Sequence, residues 1–203
     1  MSSWKMVAKT VGAFSLALIF AGVDCAGVIK GKVSVEGLKS PENIAVYIDS
    51  APGKKFDPPA EHVVMDQRKI AFVPRVIVVV EGTTVDFVNS DSVGHNVFWP
   101  SISGNKKLGH NLGTWPQGQK KSFQFTNAGV ASLLCNVHPE MSGYVVIART
   151  PYFAVTDNAG AFEIKNVPPG TYTLKTWSED GKVATQSVTV TNETASVDLT
   201  VKK

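Results

Sequence analysis

The chain has 203 residues, 43% hydrophobic and 18% charged, with a formal net charge of +3. That length allows one or two domains with a sizeable core, and the composition is neither low-complexity nor that of a disordered chain. With two cysteines at most one bridge can close, which excludes a disulfide scaffold and any four-thiolate zinc or iron–sulfur site within one chain.

Residues 1–25 read as a signal peptide. Lys5 and Lys9 supply the positive start, and 11–22 is an apolar run of about a dozen residues, too short to span about 30 Å of hydrocarbon. Small residues at Ala21, Gly22, Cys25 and Ala26 surround the expected cut. Cys25 is also a candidate lipid-bearing residue, although Asp24 before it matches that pattern poorly. The expectation is a mature chain with no membrane span, located in the periplasm or otherwise outside the cytoplasm, in an oxidising compartment. Loss of Cys25 leaves Cys135 without a partner. The middle of the chain, 51–149, holds ten Lys/Arg against seven Asp/Glu, and 150–203 holds five against six. The pairs Lys54-Lys55, Lys106-Lys107 and Lys120-Lys121 are too sparse for nucleic acid; scattered solvated lysines are the default reading of this basic segment, and weak steering toward an acidic protein partner is the sharper one.

After residue 26 the pattern is all-β, with strand signals recurring between turns at short intervals. Strands are expected at 28–35, 43–48, 69–72, 75–80 and 84–88. They continue at 122–125, where both Phe share one face, then at 130–134 and 143–147. The tail adds 153–155, 161–164, 171–177, 186–190 and 196–201. So many strands require two β units.

The chemistry concentrates in Leu133-Leu-Cys-Asn-Val-His-Pro-Glu-Met-Ser-Gly143. Cys135, His138 and Met141 stand at successive spacings of three. A thiolate, an imidazole and a thioether on one tight loop can converge on one ion, and soft sulfur with nitrogen selects copper over hard cations. A trigonal copper site of the electron-transfer type needs a second imidazole. His95 supplies one, about forty residues upstream, where antiparallel pairing can bring a strand end to the Cys loop. A lone Cys or Met is ordinarily core material; the four residues together, in an exported chain whose thiol would otherwise oxidise, point to a metal. His62 and His110 have no such company and read as surface or loop residues.

These stretches resemble the cupredoxins, the blue copper family that includes plastocyanin and amicyanin. The resemblance rests on Phe72-Val-Pro74, Val80-Glu-Gly82, Val85-Asp-Phe-Val-Asn89, His95-Asn96 and Cys135-Asn-Val-His138-Pro-Glu-Met141, and covers about 64–148. It implies a Greek-key β-sandwich, with one copper ion held by His95, Cys135 and His138 and a long axial Met141. It also implies that the Asn96 backbone N–H bonds the Cys135 sulfur. Leu133 departs from the family, which often has Tyr there, and Glu140 charges a loop that is usually more apolar. The implied function is single-electron transfer between redox partner proteins rather than enzyme catalysis, through the partly exposed His138. A copper carrier or sequestration protein using the same ligands is the alternative. Trp99, Pro100, Trp115 and Pro116 are candidates for an apolar docking rim, with core packing expected for at least one Trp.

A second resemblance lies in the tail. Thr156-Asp-Asn-Ala-Gly-Ala-Phe-Glu-Ile164 and Val167-Pro-Pro-Gly-Thr-Tyr-Thr-Leu174 look like the transthyretin-like, carboxypeptidase regulatory module, whose usual first strand matches Gly27-Val-Ile-Lys-Gly-Lys-Val33. The expected order is therefore a signal peptide (1–25), N-terminal strands of the flanking sandwich (26–57), the cupredoxin (58–149) and the remainder of the transthyretin-like sandwich (150–203). In that nested order the cupredoxin is inserted in the second unit; the alternative is a cupredoxin flanked by an extension and an independent tail.

Overall fold

A computed structural model describes residues 26–51 and 53–203. The expected signal segment and Cys25 lie outside the described residues. Strands β1 (Gly27–Glu36) and β2 (Ala45–Ile48) come first. Then follow β3 (Val63–Gln67), β4 (Phe72–Val73), β5 (Val76–Val80), β6 (Thr84–Asn89), β7 (His95–Trp99), β8 (His110–Trp115), β9 (Lys120–Gln124), β10 (Gly129–Leu134) and β11 (Ser142–Ala148). The tail adds β12 (Phe153–Val155), β13 (Ala161–Val167), β14 (Gly170–Trp177), β15 (Thr185–Val190), β16 (Thr194–Ser196) and β17 (Leu199–Lys202). A single turn of 3-10 helix, Lys106–Leu108, interrupts the strands. Among the described residues no helix is long and apolar enough to cross a membrane.

The all-β expectation holds, and the strands assemble into sandwiches. The sheet β5-β11-β10-β7-β8 and the sheet β4-β3-β6-β9 enclose one core. Phe87, Trp99, Trp115, Phe125 and Leu133 fill it, and the Cys135 and Met141 side chains border it. Parallel pairing of β3 with β6 and of β5 with β11 gives the crossed connections of a Greek-key sandwich. A second pair of sheets, β13-β1-β16 with β17 beside β1 and β12-β2-β14-β15, encloses another core. Its buried members fall between Ile29 and Ile48 and between Tyr152 and Val201.

Strand β5 joins the two sandwiches. All five of its residues are buried. Ile77 and Val79 enter the first core, whereas Val76 and Val78 join Ala45, Tyr144, Val146 and Ala148 in a separate cluster. Tyr47, Phe153, Val155 and Trp177 of the second unit pack on that cluster. A strand covered on both faces has no place for a polar residue, which accounts for the unbroken run Val76-Ile-Val-Val-Val80.

Several local readings are corrected. Lys69–Phe72 is not a strand: Lys69 and Ile70 both have φ of 56°, and only Phe72–Val73 is extended. Instead Asp91 accepts the Lys69 and Ile70 N–H groups at 2.6 and 2.9 Å. The distant carboxylate thus overrides the β propensity of the segment. Strand β3 supplies the sheet position one turn earlier, and β7 and β8 are further strands that the pattern did not announce. The expected strand 196–201 is split. Val197 donates its N–H to the Lys30 carbonyl at 2.9 Å, and Asp198 accepts the Lys32 N–H at 2.9 Å. In the tail turn, Asp157 Oδ1 accepts from both Ala159 and Ala161 N–H, and Gly160 has φ of 79°. A Cβ there would come within 2.3 Å of the Val33 carbonyl oxygen, so the turn that feeds β13 requires Gly.

Asp86 on β6 stands between the core residues Val85 and Phe87 and so faces away from the core, yet its side chain is only 6% exposed beneath Lys120, His62 and Ser122. Burial acts to raise its pKa, but hydrogen bonds from Lys120, Ser122 and His62 outweigh it and hold the carboxyl at about 2, below the ordinary 3.8. A depressed folded-state pKa stabilises above the unfolded value, and that contribution disappears as pH falls through the folded one. Between pH 5 and 2 the native protein should therefore lose roughly 2 kcal/mol that Asp86→Asn does not lose. Urea unfolding at the two pH values checks this; equal losses would contradict it.

For domain organisation we propose the nested order, in which 27–50 and 150–203 build one unit around the inserted 58–149. It is supported by the pairing of β1 with β13, β16 and β17 and of β2 with β12 and β14. Truncation after Ala148 should leave Ile29, Val33, Ile44 and Ile48 without partners and cause aggregation, scored by light scattering. A soluble monomeric truncation would favour the flanked alternative.

Candidate metal centre

The site forms where β7 and β10 meet. Their single register pair is Phe98 with Leu134. Beyond it the chains run toward His95 on one side and Cys135 on the other. Cys135 lies just after β10, and the turn back into β11 carries His138 and Met141. The Met141 N–H closes that turn on the His138 carbonyl at 3.0 Å.

Among the described residues, His95, Cys135 and His138 form the one cluster with metal-ligand geometry, their ligand atoms all within 4.8 Å of one another. The Nδ1 atoms of the two histidines face each other at 3.0 Å. His95 is fully buried, Cys135 is 4% exposed and His138 is partly exposed. Met141, 1% exposed, belongs to the same buried cluster as Cys135. Three of the four residues singled out in the sequence thus converge, and Met141 is tied to His138 through its backbone N–H. Cys135 is a free, buried thiol.

Asn96 braces the loops. Its backbone N–H donates to the Cys135 sulfur at 3.4 Å, as the resemblance implied. Its side-chain oxygen accepts the Asn136 N–H at 3.3 Å, and its amide donates to Asn111 Oδ1 at 2.9 Å. One asparagine thus ties β7, the Cys loop and β8 together. Asn89, fully buried, does the same upstream, donating to the carbonyls of Val93 and Trp115 at 2.9 and 3.0 Å.

Other expectations fare differently. His110 is exposed and stacks near Trp99 and Phe123, while His62 is exposed and pairs with Asp86, so both stay away from the centre. Trp99 and Trp115 are 1% and 2% exposed and belong to the core. Only Pro100 and Pro116 of the suggested docking rim reach the surface, because Trp99 is enclosed by Phe87, Phe123 and Phe125. One neighbour escaped the sequence reading: Asp91 Oδ2 lies 2.8 Å from His95 Nε2. The i,i+4 spacing within an irregular loop gave no periodic signal for it.

The donor set is two imidazole nitrogens and one cysteine sulfur. It suits a soft transition metal and offers nothing to a hard cation. One comparison with known protein families agrees. Residues 60–148 match the family of copper binding proteins, plastocyanin/azurin family. Residues 118–197 match polysaccharide lyase family 4, domain II, a match that crosses from the first sandwich into the second and does not correspond to the transthyretin-like module expected for the tail. Among solved structures, a reduced Cu(I) form of an amicyanin variant at pH 4 is 27% identical, covering 50% of this chain and 97% of that one, with a TM-score of 0.40. An oxidized methionine-to-leucine variant of amicyanin is 25% identical, covering 46% of this chain and 99% of that one, with a TM-score of 0.39. No curated protein matches. The segment that holds the centre is thus similar to cupredoxins, and copper is the cofactor that the donor set and the family match both indicate.

Proposed function

We propose that this is an exported mononuclear blue copper protein, not an enzyme, which passes single electrons between redox partner proteins. His95, Cys135, His138 and Met141 hold the ion in this reading. The observation that carries it is the convergence of two Nδ1 atoms and one buried thiol at the end of a closed sandwich, with an N–H already aimed at the sulfur.

Bound copper supplies a one-electron couple between Cu(I) and Cu(II). The chain supplies a fixed environment. The Asn96 N–H stabilises negative charge on the Cys135 sulfur. Burial of Cys135 and Met141 keeps bulk water and oxidants from the sulfur atoms. The short turn His138–Met141 and the Asn96 bridges resist rearrangement, so the two oxidation states can share one geometry. His138 is the partly exposed residue of the three, and Val137 beside it is 48% exposed, which favours it as the point of electron exit against a partner surface. The flanking sandwich is read as a transthyretin-like accessory, a reading supported by the Asp157–Gly160 turn.

The test is to load the exported protein with Cu(II), record visible and EPR spectra, and titrate the potential. An intense thiolate-to-copper band with reversible one-electron cycling is expected. Cys135→Ser should abolish the colour, and Met141→Leu should keep the colour and raise the potential. A colourless complex or readily lost copper would favour the carrier reading, and colour that survives Cys135→Ser would overturn the ligand assignment.

A further inference from the structure

We propose that Asp91 is the positioning residue for His95: its carboxylate selects the tautomer that presents Nδ1 to the metal, and its charge favours the oxidised ion. The inference rests on the copper reading above only for its second half.

The tautomer of His95 is set without any metal. A carboxylate only accepts hydrogen bonds. The contact of Asp91 Oδ2 with His95 Nε2 at 2.8 Å therefore requires a proton on Nε2. In a neutral imidazole the other nitrogen then carries the lone pair. That nitrogen is Nδ1, the atom that faces His138 Nδ1 at 3.0 Å. His95 is fully buried, so no bulk water competes for either position.

The carboxylate is itself held. Its Oδ1 accepts the Lys69 N–H at 2.6 Å, and its Oδ2 accepts the Ile70 N–H at 2.9 Å. Its own backbone N–H is anchored to Asn89 Oδ1 at 2.9 Å. Lys69 and Ile70 reach it only by adopting φ of 56°, a conformation that a β-branched residue rarely takes. Such strain persists where surrounding structure over-determines it. Here the determining contact is the carboxylate that also binds a ligand histidine. With one N–H donor on each oxygen, the carboxylate is held in a single orientation that turns Oδ2 to His95.

The consequence is a negative charge one imidazole away from the ion. A carboxylate behind a ligating histidine raises its basicity, and losing such a partner commonly costs 10–100-fold in metal affinity. Cu(II) carries more charge than Cu(I), so it should lose more.

The test uses the full exported chain with Asp91→Asn, which keeps the shape and removes the charge, and Asp91→Ala, which removes both. In metal-free protein, nitrogen-15 NMR should show His95 as the Nε2–H tautomer in the wild type and as a mixture in Asp91→Ala. In copper-loaded protein, Asp91→Asn should bind Cu(II) tenfold or more weakly with a smaller change for Cu(I). The potential then rises by 59 mV for each tenfold difference between the two affinities. An Nδ1–H tautomer in the wild type, or an unchanged potential in Asp91→Asn, would overturn the proposal. Because loss of the carboxylate also frees the Lys69–Ile70 turn, Ile70→Gly serves as a second variant. It relaxes the turn and leaves the carboxylate, and should keep both the tautomer and the potential; a potential shift equal to that of Asp91→Asn would assign the effect to the loop instead. Failure of the wild type to take up copper would sink the copper reading and leave the tautomer result standing.

Discussion

The register of β7 against β10 is the constraint on which the rest of the centre depends. One pair, Phe98 with Leu134, sets it. With that pair in place, the Asn96 N–H meets the Cys135 sulfur and the Asn96 side chain meets the Asn136 N–H. A slip of one residue would turn every side chain of one strand to the opposite face. The sulfur would lose its donor, and His95 would no longer face His138. Packing enforces the register: Val97 and Trp99 on β7 and Leu133 on β10 are all buried in one core. Moving any of them to solvent would forfeit on the order of 2 kcal/mol of apolar burial.

The energetic logic is that of a polar site built into an apolar end. His95, Asn96 and Asn89 are buried polar residues, each a liability unless its groups are bonded. Asn89 and Asn96 are bonded on both side-chain atoms, to backbone or to another asparagine. The histidine nitrogens are engaged by Asp91 on one side and by His138 on the other. Rigidity follows from this satisfaction, since any motion of one loop breaks bonds in another. The second sandwich adds a further clamp. Arg75 donates to Ser142, which follows Met141, and also to Glu179 of the tail at 2.6 Å. The turn from His138 to Met141 is therefore buttressed from both units.

Much of this could be read from the residues, and the failures have physical causes. Cys135 and His138 sit close in sequence, so their convergence follows from the short loop between them. His95 needed only a tertiary argument of strand pairing. The alternating strands 28–35, 84–88 and 171–177 appear where the pattern puts them. Strand β7 was missed because His95 and Asn96 occupy buried positions with polar groups, which breaks the apolar signal. Lys69–Phe72 misled because a β-rich tetrapeptide is bent by a carboxylate about twenty residues away in sequence. Asp91 itself was invisible for the same reason: its partners are set by a turn, not by a period. The tryptophans went inward because the core offers aromatic neighbours to Trp99 that a docking rim does not.

The central claim is that the donor set is assembled by the fold before any ion arrives. Crystal structures of the metal-free and copper-loaded protein test it most directly. The account predicts that His95, Cys135 and His138 keep their positions to within about 0.5 Å, the tolerance of a preorganised site, with Asn96 still donating to the sulfur. A metal-free structure in which the Cys135–Met141 loop is displaced by several ångströms, or in which His95 turns away from Asp91, would contradict it.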